Sequence, residues 1–235
     1  MWKQHVDALS EDYRCIIYDQ RGAGASPVGS GQYTMETLVD DLEDVLKEEK
    51  VKNATLIGHD LGGYVALRFA QRDASRLSGL VLINSHCYGD ADDQKFWWAE
   101  LLRHIDREGY GDFAKQFYPT LFAESSKSQD GSPFPALREE VQNLDPVGVK
   151  GHILATMTRP DTRDVIDDAT YPMLFLTGEK DEYVPPDIIL RMGLRLEGAQ
   201  AVRIPDTGHV APLEHPTFVT TALKRFFAEW SPGAG

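Results

Sequence analysis

Three residues of this chain have the types and the order along the sequence that nucleophilic hydrolysis would need: Asp60, Asp181 and His209. A carboxylate is ionised near neutral pH and can attack without help from a base. An imidazole can then take a proton from water, while a second carboxylate orients the imidazole and stabilises its cation. Together they predict attack of Asp60 on a saturated carbon or an epoxide, followed by hydrolysis of the resulting ester, with no cofactor.

Asp60 stands in the stretch 58–63, Gly-His-Asp-Leu-Gly-Gly, between a strand-like apolar run and a helix-like run. The spacing Gly-x-Asp-x-Gly is typical of a sharp strand-to-helix turn, in which glycines remove clashes with the neighbouring strand and helix. Free amides and the helix dipole favour a carboxylate at such a helix N-terminus. Asp is also a preferred helix N-cap, so the stretch taken alone leaves a simple capping role equally open.

Three further motifs accompany this turn. Residues 19–26 read Asp-Gln-Arg-Gly-Ala-Gly-Ala-Ser, residues 174–181 read Leu-Phe-Leu-Thr-Gly-Glu-Lys-Asp, and residues 204–209 read Ile-Pro-Asp-Thr-Gly-His. With the turn at Asp60, they resemble the α/β-hydrolase superfamily, whose nucleophile, acid and histidine follow one another in this order. The resemblance covers nearly the whole chain. It implies a mostly parallel α/β sheet with helices on both faces and an inserted helical cap.

Within that superfamily, an aspartate at the turn resembles epoxide hydrolases and haloalkane or haloacid dehalogenases. Dehalogenases usually place an aromatic residue or an arginine after the nucleophile to hold the halide, and this chain has Leu61. The resemblance therefore implies an epoxide ahead of a halogenated substrate, with the Leu61 amide as an oxyanion donor. The rest of the chain is more similar to serine carboxylesterases, lactonases and C–C hydrolases. A serine enzyme changed to aspartate at position 60 is therefore an alternative.

Two other kinds of function fit the same resemblance. One is a non-hydrolytic lyase, cyclase or isomerase that uses Asp60 or His209 as acid or base. Turnover without solvent oxygen in the product would favour it. The other is a ligand-binding protein without catalysis, for which binding would survive the loss of His209.

The assignments of Asp181 and His209 compete with alternatives. Asp181 shares its loop with Glu179 and Glu182, and the register of the motif favours Asp181. Catalysis is favoured over a structural role for His209 because the residue follows a strand within Asp-Thr-Gly-His. A metal site built on His59 and the catalytic pair would lack a third well-placed ligand, so we expect no metal.

The chain opens at Met1 inside what resembles the family's first helix. Family members usually carry two or three strands and a His-Gly loop before it, including a strand between those predicted here at 14–18 and 54–57. Its loss would leave unpaired backbone groups and remove one of two oxyanion amides. Three explanations are open: a truncated chain, a gap closed by the flanking strands or by a partner chain as in a homodimer, or a natural variant that hydrolyses nothing.

Periodicity organises the rest of the chain. Apolar residues recur at helical spacing in 35–46, behind the predicted N-cap Thr34, and again in 218–230. The continuous apolar run in 78–85 is typical of a buried parallel strand. The predicted division is an α/β core at 1–86 and 170–235 with a helical cap at 87–169.

The predicted cap contains the residues that would face the substrate. Trp97 and Trp98 are neighbours on a predicted helix and point about 100° apart, so at most one of them faces the site squarely. Epoxide opening needs a proton donor, and the resemblance implies a cap tyrosine, for which Tyr88, Tyr110 and Tyr118 are available. We expect Trp97, Trp98, Tyr110 and Tyr118 to contact the substrate, and packing of cap against core is the competing explanation for each.

The composition limits the partners. A chain of 235 residues with 42% hydrophobic residues suits one soluble α/β domain with a cap. A formal net charge of −13 argues against nucleic acid and anionic membrane surfaces. The sequence has no bilayer-spanning stretch and no signal-peptide pattern, and its two cysteines suggest a reducing compartment. We therefore expect a cytoplasmic enzyme that acts on a small molecule.

Overall fold

Four parallel strands form the framework that holds the candidate catalytic residues. The computed structural model describes residues 1–230. Strands β1 (Ala54–His59), β2 (Leu77–Ile83), β3 (Met173–Gly178) and β4 (Gln200–Ile204) lie in that order and pair in parallel. Helices alternate with these strands along the chain, which confirms the predicted α/β class.

Helices cover the sheet and fill the long connection between β2 and β3. In chain order they are α1 (Lys3–Leu9), α2 (Met35–Glu48), α3 (Leu61–Asp73), α4 (Asp92–Glu108), α5 (Tyr110–Phe117), α6 (Glu124–Ser128), α7 (Phe134–Gln142), α8 (Pro146–Met157), α9 (Arg163–Asp167), α10 (Pro186–Gly193), α11 (Ala211–Glu214) and α12 (Pro216–Trp230). Thr34 caps α2 as predicted, since its hydroxyl accepts a hydrogen bond from the Thr37 amide at 3.2 Å. Within residues 1–230, no helix combines the length and apolar character that crossing a bilayer requires.

The two faces of the sheet carry separate apolar cores. Successive residues of a strand point to opposite faces. Leu80 and Leu82 of β2 pack into a cluster with α2 and α3, while Val81 and Ile83 pack against α1 and α12. Because helices cover both faces, β2 and β3 are almost wholly buried.

The connection from β2 to β3 is helical, and its helices α4 to α9 lie within the predicted cap at 87–169. Trp98, Ile105, Phe113 and Ile153 form the centre of an apolar cluster of its own. Side chains of this segment line one cavity of about 1160 Å³ together with β1 and with residues of 1–23, α2 and α12. The division into core and cap at these bounds stays a prediction.

The strand predicted at 14–18 does not form. Residues 14–20 lie outside helices and strands, and within residues 1–230 β1 pairs with β2 alone. A strand needs a hydrogen-bonding neighbour, and the space between 14–18 and β1 is a groove lined by both segments that runs into the cavity beside Asp60. The flanking segments therefore do not pair directly to close the gap, and β1 keeps an open edge.

Candidate active site

A sharp turn between β1 and α3 presents Asp60. Asp60 has φ 46° and ψ −117°, outside the regions that residues with a side chain usually adopt. A Cβ at Gly58 would lie 2.4 Å from the Gly62 carbonyl oxygen, and one at Gly63 would lie 2.3 Å from Ser85 Oγ. The space around Gly62 itself is open. Close approach therefore requires glycine at Gly58, as expected, and at Gly63 rather than at Gly62.

The carboxylate of Asp60 faces the imidazole of His209. Asp60 Oδ1 lies 3.7 Å from His209 Nε2, and His209 Nδ1 lies 2.9 Å from Asp181 Oδ2. The side chain of Asp60 is 30% exposed, whereas those of His209 and Asp181 are 2% and 0% exposed. The Asp60 carboxylate makes no capping hydrogen bond to α3. The three predicted residues thus meet at one place, and the capping interpretation of Asp60 is not supported.

Four donors hold the carboxylate of Asp181. Its Oδ2 accepts hydrogen bonds from His209 Nδ1 and from Asn84 Nδ2, the latter at 2.7 Å. Its Oδ1 accepts from the amides of Tyr183 at 3.0 Å and Val184 at 2.9 Å. This pairing fixes the orientation of a buried carboxylate. Sequence reasoning missed Asn84, although a polar residue directly after an apolar strand was a signal that could have found it.

Hydrogen bonds to the main chain of His209 fix the loop that carries this residue. The His209 amide donates to the Leu121 carbonyl at 2.7 Å, and His59 Nε2 donates to the His209 carbonyl at 2.7 Å. Glu179, the competitor of Asp181 for the acidic role, instead accepts a hydrogen bond from the Asp206 amide at 3.1 Å. The position of His209 is therefore fixed by hydrogen bonds of its main chain as well as by the bond from its ring to Asp181.

The charges at the site are coupled. Burial alone would lower the pKa of His209, but the charge and hydrogen bond of Asp181, together with Asp60, raise it to about 10. Burial alone would raise the pKa of Asp60, but the neighbouring His209 holds it below its ordinary value. Burial and the charge of His209 lower the pKa of His59 to about 4. Near neutral pH the site therefore holds an Asp60 anion, a His209 cation and a neutral His59.

Two of the four predicted substrate residues line the cavity beside Asp60, namely Trp98 and Tyr118. Trp97, 38% exposed, lies outside that lining, although its ring lies 4.8 Å from the ring of Trp98 between centroids. Tyr110 also lies outside it, since its hydroxyl donates to the Val141 carbonyl within the helical segment. The predicted contact of Trp97 and Tyr110 with substrate is therefore not supported.

Two residues that sequence reasoning passed over line the same cavity, Tyr183 and His152. The Tyr183 ring meets the His209 ring edge-on, with 4.7 Å between centroids. Tyr183 lies two residues after Asp181 in the sequence, and this position was the signal that could have identified it. Tyr88, the third candidate proton donor, lines a separate cavity of about 670 Å³. Within residues 1–230, no group of three or more His, Cys, Asp or Glu side chains is placed to hold a metal ion.

Comparison with known proteins shows the family of the chain. Residues 1–216 match the sequence model of the alpha/beta hydrolase fold family. The chain belongs to the α/β-hydrolase fold family. The family match confirms the resemblance to the α/β-hydrolase superfamily that was drawn from the four motifs.

Known relatives of this α/β-hydrolase act on different bonds. Epoxide hydrolase 3 of Xenopus tropicalis is 35% identical over 254 residues, covering 97% of this chain and 68% of that protein. The 3-oxoadipate enol-lactonase 1 of Acinetobacter baylyi is 24% identical over 187 residues, covering 77% of this chain and 66% of the lactonase. The structure of a thermophilic esterase from Thermogutta terrifontis matches with a TM-score of 0.91 and 32% identity, covering 97% of this chain and 84% of the esterase. The chain is a hydrolase of the α/β-hydrolase superfamily.

Proposed function

We propose that this α/β-hydrolase opens a small organic epoxide to a diol through an ester on Asp60. The observation that carries the proposal is a carboxylate at the turn, 3.7 Å from a buried imidazole that Asp181 holds. Similarity to epoxide hydrolase 3 of Xenopus tropicalis over 97% of the chain supports it. A carboxylate, an imidazole, a proton donor and water are the groups that this reaction needs.

Asp60 is the nucleophile of the first step. The His209 cation keeps its carboxylate ionised, so one oxygen can attack an epoxide carbon. A C–O bond forms to Asp60 while a ring C–O bond breaks, and the ring oxygen takes a proton. We assign that proton to Tyr118, the cap tyrosine of the predicted set that lines the cavity beside Asp60.

His209 is the base of the second step. Ester formation removes the negative charge of Asp60, which is one of the influences that raise the pKa of His209. The pKa of His209 therefore falls, so the imidazole can return a proton to the Tyr118 phenolate through solvent and then accept one from water. The water oxygen attacks the Asp60 carbonyl carbon, the Leu61 amide stabilises the oxyanion, and the ester C–O bond breaks. The leaving oxygen takes the proton from His209 and the diol departs. The carboxyl proton of Asp60 then passes to the imidazole, so Asp60 is again a carboxylate and His209 a cation.

The other parts of the proposal follow from the same site. The helical segment 87–169 serves as a cap, with Trp98 and Tyr118 on its inner side. A halogenated substrate ranks below an epoxide because Leu61 offers no side-chain donor to a leaving halide. The cytoplasmic location and a homodimer stay predictions.

Ester hydrolysis is a second candidate, favoured by the 32% identity to the Thermogutta terrifontis esterase. Attack of the Asp60 carboxylate on an ordinary ester would give an anhydride, which is unfavourable, so this function would need a hydroxyl at position 60. In that case Asp60→Ser would gain hydrolysis of a chromogenic ester such as p-nitrophenyl acetate. An unchanged background rate would remove this candidate.

A single turnover in heavy-oxygen water tests the proposal. Excess enzyme is mixed with styrene oxide, quenched and digested, and the peptide that contains Asp60 is weighed by mass spectrometry. Attack of water on the ester carbonyl places solvent oxygen in the Asp60 carboxylate, and Asp60→Asn serves as the control without a nucleophile. Turnover that leaves Asp60 unlabelled would reject the ester mechanism and favour a lyase, cyclase or isomerase. Binding without turnover would favour a ligand-binding protein.

A further inference from the structure

Glu214 is a buried acidic residue that the reaction steps above do not use. It ends α11 and is 4% exposed. Both of its carboxylate oxygens accept hydrogen bonds from main-chain amides, Oε1 from Gly208 at 3.0 Å and Oε2 from Ala123 at 2.9 Å. Hydrogen bonds to a charged acceptor are among the stronger ones that a folded chain makes.

The two amides belong to the two segments that meet at His209. Gly208 directly precedes His209, and Ala123 lies in the helical segment between β2 and β3. A second bond joins the same segments, since the His209 amide donates to the Leu121 carbonyl at 2.7 Å. A Cβ at Gly208 would lie 2.5 Å from the Ala123 nitrogen, so the two backbones approach more closely than a side chain would allow. Glu214 therefore binds the main chain on both sides of the close contact between Gly208 and Ala123.

We propose that Glu214 is a positioning residue that sets the imidazole of His209 between Asp60 and Asp181 and couples it to the helical segment. The distances at stake are the 2.9 Å bond from His209 to Asp181 and the 3.7 Å approach to Asp60. A displacement of about 1 Å at a catalytic group can cost on the order of a hundredfold in rate. The kinetic consequence rests on the proposed ester mechanism, whereas the effect on the position of His209 does not.

Two substitutions at Glu214 remove its hydrogen bonds to different extents. Glu214→Gln keeps one acceptor oxygen but turns an NH2 group toward the other amide, which leaves that amide unpaired. Glu214→Ala leaves both amides unpaired. Glu140→Gln is the matched control, because it removes the same charge from an exposed position on α7.

The first readout separates the two chemical steps on styrene oxide. We expect Glu214→Gln to slow hydrolysis of the Asp60 ester by roughly 10- to 100-fold, because the base is displaced from its water. Formation of the ester should change little, so the covalent enzyme accumulates and becomes visible by intact-mass measurement. Glu214→Ala should extend the effect and Glu140→Gln should match the parent chain. Equal slowing of both steps, or melting of Glu214→Gln below the assay temperature, would show a purely structural role and overturn the proposal.

The second readout needs no substrate. The His209 imidazole is titrated by nitrogen-15 NMR, and its pKa, about 10 in the parent chain, should fall in Glu214→Gln as the contact with Asp181 loosens. An unchanged His209 titration with normal ester hydrolysis would refute the role of Glu214 and leave the ester mechanism standing. A shifted titration in a chain that never forms an ester would keep Glu214 as the positioning residue and reject the epoxide mechanism instead.

Discussion

Two carboxylates, Asp181 and then Asp60, hold the imidazole of His209 in its charged form, and only Asp60 loses its charge during the reaction. Asp60 and His209 are 3.7 Å apart, and each shifts the pKa of the other toward the charged form. This coupling lets one pair serve two steps with opposite needs. The anion is required for attack, and the neutral imidazole is required only after the anion has been consumed as an ester.

Replacement of Asp60 by Asn should lower the pKa of His209 below its value of about 10 in the parent chain. The substitution keeps the shape of the side chain but removes its charge, which is one of the influences that stabilise the imidazolium. Nitrogen-15 NMR titration measures the shift. Asp44→Asn removes a charge from an exposed position of α2 and should leave His209 unchanged. A His209 titration identical in the two variants would contradict the coupling.

Replacement of His209 by Gln should trap the ester. Formation of the covalent enzyme continues because Asp60 needs no base for attack, whereas loss of the base slows ester hydrolysis by roughly a hundredfold or more. Intact-mass measurement during turnover of styrene oxide detects the added mass, and digestion locates it. His104→Gln, on α4 and outside the lining of the cavity beside Asp60, is the control. Slow turnover without any added mass would rule out His209 as the base of the second step.

At the scale of elements, a buried ion pair fixes the start and the end of the helical segment. Arg159, just after α8, donates to both oxygens of Asp90, which lies before α4, at 2.5 Å and 2.7 Å. The indole of Trp98 donates to the same carboxylate at 2.9 Å, and the guanidinium lies 4.2 Å from the centre of the Tyr64 ring on α3. The helical segment is thereby joined to the core helix that follows the nucleophile turn.

Replacement of Arg159 by Met should destabilise the fold by roughly 3 to 5 kcal/mol, because it leaves the Asp90 carboxylate buried and uncompensated. The side chains of Arg159 and Asp90 are 5% and 4% exposed. Arg163→Met is the matched control, since its ion pair with Asp161 is 53% and 42% exposed and should contribute little to stability. Urea unfolding measures both. Equal losses in the two variants would contradict the argument from burial.

The same elements show what the sequence could and could not predict. Residues close together along the chain predicted the turn at Asp60 and the cap of α2 at Thr34, because each depends on local backbone chemistry. The strand at 14–18 was wrong because its formation depends on a neighbour that local pattern does not reveal. Asn84 was missed for a related reason, since its role exists only where the loops after β2 and β3 meet.

At the scale of the whole molecule, buried histidines make stability depend on pH in two opposite senses. Burial lowers the pKa of His59 and of His86 to about 4. The unfolded chain binds protons at these residues below about pH 6.5, so their effect is a loss of stability as the pH falls from 6.5 toward 4. The folded pKa of His209 is raised instead, so its stabilisation is complete below pH 6.5 and is lost as the pH rises through about 10.

His86→Gln should therefore make the protein less sensitive to acid. His86 lines the second cavity beside Arg159, and a glutamine there has no proton to take up. We expect the fall in unfolding free energy between pH 6.5 and pH 4 to be smaller by on the order of 2 kcal/mol than in the parent chain. Titration of the carboxylates of this acidic chain is common to both proteins, so it cancels in the comparison. Urea unfolding at a series of pH values provides the measurement, with His104→Gln as the control. If the two pH profiles stay parallel, His86 binds its proton equally in the folded and unfolded chain, and the acid sensitivity arises elsewhere.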